Sequence, residues 1–245
     1  MKSMPSDGIA LRVVDVYKSF SGIEALRGVS IDVRRGEIFG IIGPNGAGKT
    51  VLLNVISGIY PPDKGEVYIN STRTDKLKTH ELARLGLVRT FQITRYFPDM
   101  TVYENLMTFI NAFNKNILEN EKREIVDEAL KITELAGLRD SKAKSLSGGQ
   151  KKLLEFARLV ASRARLMLLD EPFAGVNPVI ISKMVNILKM LVEKGSSIVV
   201  VSHEIGVVSR LCERVAVLDR GVKIAEGTLR EVALVQEVRR AYLGI

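Results

Sequence analysis

The sequence is poor in cysteine and contains no long hydrophobic run, and both absences restrict what it can be. Its single cysteine, Cys212, excludes a disulfide framework and the usual cysteine zinc clusters. No apolar stretch approaches the roughly 18–20 residues that cross a bilayer, and residues 1–8 lack the apolar core of a signal peptide. We therefore expect a cytosolic protein that reaches a membrane only through a partner, with Cys212 as a small buried side chain.

The charge of the chain leaves its partners open. A net charge of +8 is compatible with binding to nucleic acid or to an anionic membrane surface. Basic residues that only solvate the surface give the same value, and no run of Lys or Arg is longer than two. The hydrophobic fraction of 46% and the charged fraction of 26% are ordinary for a folded protein, which argues against disorder.

Strand and helix patterns alternate along the 245 residues. The predicted strands cover residues 11–17, 29–33, 37–42, 66–69, 166–170 and 197–202, with a hairpin of 215–219 and 222–226. Helices are predicted from near residue 48, over much of 92–163 and over 178–193, and a terminal one carries Val232, Val235, Val238 and Tyr242. One further helical face consists of Ile125, Ala129, Ile132 and Ala136, with Gly137 as the stop. The alternation predicts one α/β domain with a largely parallel sheet and a helical insertion.

A glycine-rich loop lies between a predicted strand and a predicted helix, and it fits the pattern G-x-x-x-x-G-K-[ST]. The loop consists of Gly43, Pro44, Asn45, Gly46, Ala47, Gly48, Lys49 and Thr50. Its glycines let successive backbone N–H groups face one anion, and the start of the helix adds a favourable partial charge. Lys49 is expected to reach the β- and γ-phosphates of a nucleotide, and the Thr50 hydroxyl to ligate Mg²⁺.

Two carboxylates end the apolar strand over residues 166–170, at the sheet edge where open α/β sheets bind ligands. Asp170 suits Mg²⁺ ligation, directly or through water. Glu171 suits polarisation of an attacking water, because it follows immediately. An acid in this place favours hydrolysis over transfer to a substrate hydroxyl.

A second anion site is predicted 20 residues or so before these carboxylates, where Leu146 precedes Ser147, Gly148, Gly149 and Gln150. Ser147 is the predicted N-cap of a helix, and the two glycines leave backbone N–H groups bare. If the two anion sites lie on opposite arms of one domain, they cannot hold the same nucleotide. Two chains related by a two-fold axis could form two composite sites.

Five features follow one another along the chain: residues 43–50, Gln92, residues 146–150, the Asp170-Glu171 pair and His203. In this order they resemble the ATP-binding cassette of ABC transporters. The resemblance covers nearly the whole chain. It implies a P-loop NTPase core of the RecA type with an antiparallel β subdomain, over about 1–92 and 163–245, and an inserted α-helical subdomain over about 93–162. It also implies an ATPase with ATP and Mg²⁺ as cofactors.

The resemblance assigns further roles by position. Phe20 stacks on adenine, the alternative being an ordinary core position; Val51 completes the nucleotide-binding set. Gln92 lies in the lid loop that senses the γ-phosphate and contributes to the Mg²⁺ site, and His203 faces the γ-phosphate. The catalytic set is then Glu171, His203, Lys49 and Gln92, and residues 147–150 close the site of the opposite subunit.

The partners implied by the resemblance are a second cassette, identical or different, and transmembrane permease subunits, with the chain on the cytoplasmic face of the membrane. An extracytoplasmic substrate-binding protein is expected in the complex, and nucleic acid is not. Exposed Ile93, Tyr96 and Phe97 are expected to dock a helix of the permease, although burial of the two aromatic rings is the alternative.

A narrower resemblance is to the subunits that serve branched-chain amino-acid importers. It is carried by residues 83–92, which end in Arg89-Thr90-Phe91-Gln92, by residues 97–106 and by the ending 241–244. Urea importers have similar cassettes and lipopolysaccharide exporters a more distant one. Asn177 stands where the family more often has Asp in a dimer-contact loop, and Val51 where many members have Ser or Thr. The alternative is a soluble ABC ATPase, for example of the iron–sulfur assembly type.

Overall fold

The computed structural model describes residues 8–90, 96–113 and 117–243, except for the side chain of Leu243. The strands are β1 (Ile9–Phe20), β2 (Ile23–Arg34), β3 (Ile38–Ile42), β4 (Lys64–Ile69), β5 (Thr72–Arg73), β6 (Leu87–Arg89), β7 (Leu166–Asp170), β8 (Ser197–Val201), β9 (Arg214–Asp219) and β10 (Val222–Gly227). The helices are α1 (Lys49–Ile56), α2 (Thr79–Arg84), α3 (Val102–Phe113), α4 (Glu119–Ile132), α5 (Gly148–Ser162), α6 (Pro178–Glu193), α7 (Ile205–Leu211), α8 (Leu229–Val232) and α9 (Gln236–Leu243).

The larger sheet has six strands in the order β10-β9-β3-β8-β7-β6, and only the β9–β10 pair is antiparallel. Every residue of β3, β7 and β8 is buried, as expected for central strands that are covered on both faces. The carboxyl ends of parallel strands share one edge of the sheet, so the segments that follow β3, β7 and β8 are neighbours. The predicted parallel sheet is confirmed, and this edge positions the candidate site.

The smaller sheet is antiparallel, in the order β2-β1-β4-β5. Strands β1 and β2 form one long hairpin whose turn, Ser21-Gly22, has positive φ at both residues (47° and 85°), as a type I′ turn requires. Its inner face, with Leu11 and Val13, shares a core with Phe39 of β3 and Leu52 of α1. This packing places Phe20, the last residue of β1, at the tip of the hairpin.

Helices α3, α4 and α5 lie between β6 and β7 in the chain and pack on one another. Their apolar faces join the second core cluster, which includes Leu106, Ile125, Val126, Leu154 and Phe156. The mixed α/β fold with antiparallel and helical parts is therefore as predicted. The subdomain boundaries at 92/93 and 162/163 stay a prediction, and the first lies outside the described residues.

Helix α4 ends before the predicted stop at Gly137. Glu134 adopts a left-handed conformation (φ 57°), and the backbone N–H of Leu135 donates to the Leu130 carbonyl at 2.8 Å. This is a Schellman ending, in which buried Leu135 covers the last turn. Ala136 and Gly137 belong to a separate 3₁₀ turn, Ala136–Leu138. The prediction was wrong because a glutamate occupies the left-handed position where a glycine is usual.

The predicted single terminal helix is also wrong, since the structure has α8 and α9 with residues 233–235 between them. Thr228 caps α8 through Glu231, and α8 is only four residues long. Val235 lies in the break, and its carbonyl accepts from the backbone N–H of Arg239 at 3.2 Å. Val232 and Val238, on either side of the break, are both buried.

Cys212 is buried at the end of α7, as predicted. Burial raises the pKa of its thiol to about 12, so the nucleophilic thiolate is scarce at neutral pH. Among the described residues, none of the helices combines the length and apolar character needed to cross a membrane.

The turn between β9 and β10 supports the glycine-rich loop, which gives a test of the fold. Gly221 donates to the Ala47 carbonyl at 3.0 Å, and a Cβ at this residue would lie 2.7 Å from the Ala25 carbonyl oxygen. Gly36 is a matched control, because its φ (68°) resembles that of Gly221 (79°) but its Cβ position is open. We expect Gly36→Ala to cost about 1–2 kcal/mol of left-handed strain and Gly221→Ala about 1–3 kcal/mol more. Urea unfolding measures the stability of both variants, and equal midpoints would refute the close contact between Gly221 and the Ala25 carbonyl.

Candidate functional site

The glycine-rich loop joins β3 to α1, and two of its glycines are required by close backbone contacts. A Cβ on Gly43 (φ 148°) would lie 2.1 Å from the Leu218 carbonyl oxygen, and one on Gly48 (φ 99°) would lie 2.6 Å from that of Ala25. Gly48 is the N-cap of α1, and no side chain caps that helix end. The first-turn amides of α1 therefore remain available for an anion.

Lys49 is buried at the mouth of this loop. Its Nζ donates to the carbonyl oxygens of Gly43 at 2.7 Å and Pro44 at 3.0 Å. Burial lowers the pKa of Lys49, while the carboxylates of Glu171 and Asp170 act in the opposite direction. A cation therefore lies between the loop and the acids at the end of β7, where phosphate charge would be neutralised.

Asp170 ends β7 and is buried, with its two carboxylate oxygens on different partners. Thr50 Oγ1 lies 3.3 Å from Asp170 Oδ1, and Arg89 Nη2 lies 3.2 Å from Asp170 Oδ2. Burial raises the pKa of Asp170, and the Arg89 guanidinium and the Thr50 hydroxyl lower it. A hydroxyl and a carboxylate oxygen beside a phosphate loop fit Mg²⁺, which proteins bind through one or two carboxylates together with substrate phosphates. Sequence reasoning found Thr50 and Asp170 but missed the Arg89 contact.

Glu171 and His203 form a pair that the sequence did not predict. Glu171 has a left-handed backbone (φ 48°), and its N–H donates to the Val201 carbonyl at the end of β8. This places Glu171 Oε2 2.8 Å from His203 Nδ1 and 3.3 Å from the His203 backbone nitrogen. A non-glycine residue in this conformation is strained, and such strain is concentrated at functional sites. The carboxylate is mostly shielded, whereas the imidazole is exposed.

Phe20 is an exposed aromatic residue, so the core alternative for it is wrong. The residue is 38% exposed, and its ring meets that of Tyr60 edge to face, with the centroids 5.0 Å apart. Asp63 fixes the strand end beside it, because its carboxylate accepts from Lys18 Nζ at 2.7 Å and from the Ser19 backbone N–H at 2.6 Å. The supporting roles of Tyr60 and Asp63 were not predicted, since these residues lie 40 and 43 positions from Phe20 in the sequence.

The predicted second anion site is a capped helix start. Ser147 Oγ accepts from the Gln150 backbone N–H at 3.3 Å, and Gln150 Oε1 accepts from the Ser147 N–H at 2.8 Å. Ser147 and Gly148 are exposed, and a Cβ on Gly149 would lie 3.1 Å from Ile180 Cγ1. The structure confirms the predicted N-cap. Within the part of the chain that the structure describes, residues 147–150 form no hydrogen bond or ion pair with residues 43–50.

The remaining predicted site residues have different outcomes. Gln92 and Ile93 lie outside the described residues. Phe97 is 49% exposed, as expected for a docking residue. Tyr96 is only half-buried rather than exposed: its ring packs against the helical core, with Lys151 Nζ 5.5 Å from its centroid. Val51 is half-buried on α1, and Asn177 caps α6 by accepting from the Val179 backbone N–H.

Comparison with known proteins agrees with this geometry. The sequence profile of the ABC transporter family matches residues 26–174. A relative from Archaeoglobus fulgidus, described as a probable branched-chain amino acid transport ATP-binding protein, LivG, is 39% identical and covers 96% of this chain and 95% of its own. The lipopolysaccharide export system ATP-binding protein LptB of Escherichia coli K12 is 35% identical over 96% and 97%.

Solved structures similar to this chain are also cassettes of ABC transporters. A nucleotide-free ATP-binding cassette from an ABC transporter superposes with a TM-score of 0.87 at 33% identity, covering 97% of this chain and all of the other. A dimeric, post-hydrolysis cassette, MJ0796 bound to ADP and Pi, superposes with a TM-score of 0.80 at 31% identity over 90% and 99%. The chain therefore belongs to the ABC transporter family. It is an ATP-binding and ATP-hydrolysing cassette of that family, with Mg²⁺ as the usual partner ion.

The exposed ring of Phe20 gives a test of how the nucleotide base is held. We expect Phe20→Ala to weaken ATP binding by about tenfold, equivalent to one aromatic contact of ~1.4 kcal/mol. Inorganic tripolyphosphate, which has no base, should bind as in the parent, because the glycine-rich loop is unchanged. Phe20→Tyr, which keeps an aromatic ring, is the control. Calorimetric titration measures all three, and a parallel loss of tripolyphosphate binding would mean that Phe20 supports the loop instead.

Proposed function

We propose that this chain is one of two cassettes that bind ATP between them and power the import of branched-chain or other amino acids through transmembrane permease subunits. The observation that carries the substrate class is the likeness to the archaeal LivG relative, which exceeds that to the exporter relatives. The string Arg89-Thr90-Phe91-Gln92 supports it. An extracytoplasmic substrate-binding protein would deliver the amino acid, and the chain would lie on the cytoplasmic face of the membrane.

A side chain can be proposed for each chemical role. The loop amides and Lys49 would hold the phosphates, and Thr50, Asp170 and Gln92 would hold Mg²⁺, which when bound neutralises charge on the β- and γ-phosphates. Glu171 would position the attacking water and accept its proton. His203 lies 2.8 Å from the Glu171 carboxylate, so it can orient that group, and its other ring nitrogen would face the γ-phosphate.

The proposal of a pair follows from the separation of the two anion sites. Ser147 and Gly149 lie at the start of α5, in the helical region, whereas Lys49 begins α1, after the glycine-rich loop that follows β3 of the larger sheet. Exposure of the Ser147–Gly148 end leaves it free to meet a nucleotide on a second chain. Cassettes of this family dimerise and work with transmembrane permease subunits. Exposed Phe97, next to half-buried Tyr96, is the proposed contact with the permease.

Blocking hydrolysis should trap the pair. Glu171→Gln keeps the size of the side chain and removes the carboxylate that activates water, so turnover should fall by about 10²-fold or more. ATP should still bind, and the γ-phosphate should still attract the donors of both chains. We therefore expect this variant to elute as an ATP-dependent dimer in size-exclusion chromatography.

Ser147→Arg is the matched control in the Glu171→Gln background. The larger side chain crowds the helix start without touching the glycine-rich loop, so ATP should bind while the chain stays monomeric. Near-normal hydrolysis by Glu171→Gln would remove Glu171 from the catalytic role. A Glu171→Gln monomer at high protein and ATP concentration would count against the paired site.

The transport role is tested with the trapped variant as bait. Tagged Glu171→Gln with ATP should retain permease subunits from membranes of the source cells. Proteoliposomes with these subunits and the parent chain should then take up labelled leucine when a binding protein is supplied. ATPase stimulation by lipopolysaccharide, with no leucine uptake, would favour export instead. Retention of soluble iron–sulfur assembly proteins and no membrane protein would favour the soluble alternative.

A further inference from the structure

We propose that Arg89 is a positioning residue that holds the Asp170 carboxylate in the orientation that binds Mg²⁺. The proposal rests on the proposed role of Asp170 as a metal ligand. Arg89 ends β6, and its side chain is 6% exposed, as buried as that of Asp170 at 5%. Nothing in the phosphate loop itself requires an arginine at this place.

The contacts divide the two oxygens of Asp170 between different elements. Oδ2 accepts from Arg89 Nη2 at 3.2 Å, on the β6 side of the strand, and Oδ1 accepts from Thr50 Oγ1 at 3.3 Å, on the loop side. This fixes the plane of the carboxylate and turns Oδ1 towards the hydroxyl that is the other proposed ligand. Groups that hydrogen-bond a ligating carboxylate orient it and set its affinity for the metal.

Arg89 is itself held at a second point. Its Nη1 donates to Ser57 Oγ at 2.7 Å, and that hydroxyl donates in turn to the Leu53 carbonyl at the end of α1. The guanidinium thus joins α1, which begins with Lys49 and Thr50, to the end of β7. A planar fork can contact both partners at once, whereas the compact ammonium of lysine cannot reproduce that geometry.

The backbone around Arg89 adds to the same attachment. Arg89 pairs with Leu168 in the parallel register of β6 and β7. The next residue, Thr90, donates its backbone N–H to the Leu168 carbonyl at 2.9 Å, and its hydroxyl accepts from the Asp170 N–H at 3.4 Å. Arg89 at the end of β6 and Thr90 just after it therefore hold both the side chain and the backbone of Asp170.

Two effects of the Arg89 charge oppose each other. The cation repels a second cation, so its removal would tighten Mg²⁺ binding if repulsion dominated. Its removal also leaves a buried carboxylate without its charged partner, held among the described residues only by the Thr50 hydroxyl and free to turn away from the metal position. The positioning role requires the second effect to be larger, and lysine separates the two because it keeps the charge and loses the fork.

The test compares Arg89→Gln and Arg89→Lys with the parent by titrating ADP in EDTA and in Mg²⁺. ADP binding in EDTA should stay within about twofold of the parent, because Lys49 and the loop amides are unchanged. The gain in affinity from Mg²⁺ should fall by about 10–100-fold in Arg89→Gln, the usual cost of losing a group that orients a metal ligand. Arg89→Lys should lose at least half of that gain on a logarithmic scale. Direct Mn²⁺ binding, followed by electron paramagnetic resonance, should show the same order.

Two controls make the outcome decisive. Arg158→Gln removes another buried guanidinium, which donates to Asn105 Oδ1 at 3.0 Å, and it should keep the full Mg²⁺ gain. Asp170→Asn should lose the gain; if it does not, the proposed metal role of Asp170 fails. If Asp170→Asn loses it and both Arg89 variants keep or exceed it, the inference about Arg89 alone is wrong. Loss of ADP binding in EDTA by both Arg89 variants would also overturn it, because Arg89 would then support the fold and not the metal.

Discussion

The structure depends on one buried charge, the Asp170 carboxylate at the end of a fully buried strand. A carboxylate out of water is tolerated only with partners, and Asp170 has a hydroxyl from α1 and a guanidinium from β6. Lys49 lies near enough for the Asp170 carboxylate to oppose the lowering of its pKa by burial. The elements that carry these groups must meet at one edge of the sheet, so the strand order and the site are specified together.

The backbone at this edge is strained where the chemistry is placed. Gly43 and Gly48 adopt conformations and close contacts that no other residue fits, and Glu171 adopts a left-handed conformation without being a glycine. The turn at Gly221 supports the loop through its hydrogen bond to the Ala47 carbonyl, and Arg27 holds that turn by donating to the carbonyls of Arg220 and Gly221. The sheet and the β9–β10 hairpin thus keep the loop in the shape that an anion requires.

What could be predicted from the sequence was local, and what could not was contact between distant positions. The loop over 43–50, strand β7, helix α6 and the Ser147 cap follow from glycine spacing, an apolar run and cap chemistry within a few residues of each other. The pairs Arg89–Asp170 and Glu171–His203 join residues 81 and 32 positions apart. The sequence pattern around one residue of a pair carries no information about the other residue, so these two contacts could be found only from the folded structure. The end of α4 was missed for a different reason, because Glu134 takes a conformation that sequence rules reserve for glycine or asparagine.

The junction between α5 and β7 has a consequence for how two nucleotides would be used. Only residues 163–165 separate the helix from the strand, and Ser162 and Ser196 hold them through hydrogen bonds to the backbone of Ala164 at 3.2 and 2.8 Å. Ser147, at the far end of a helix about 22 Å long, and Asp170, at the far end of the strand, are therefore the two ends of one helix–strand unit. In the proposed pair, Ser147 serves the neighbour's ATP while Asp170 serves its own. We expect a displacement at one nucleotide to be carried through this helix–strand unit to the other, so that the two sites hydrolyse ATP cooperatively rather than independently.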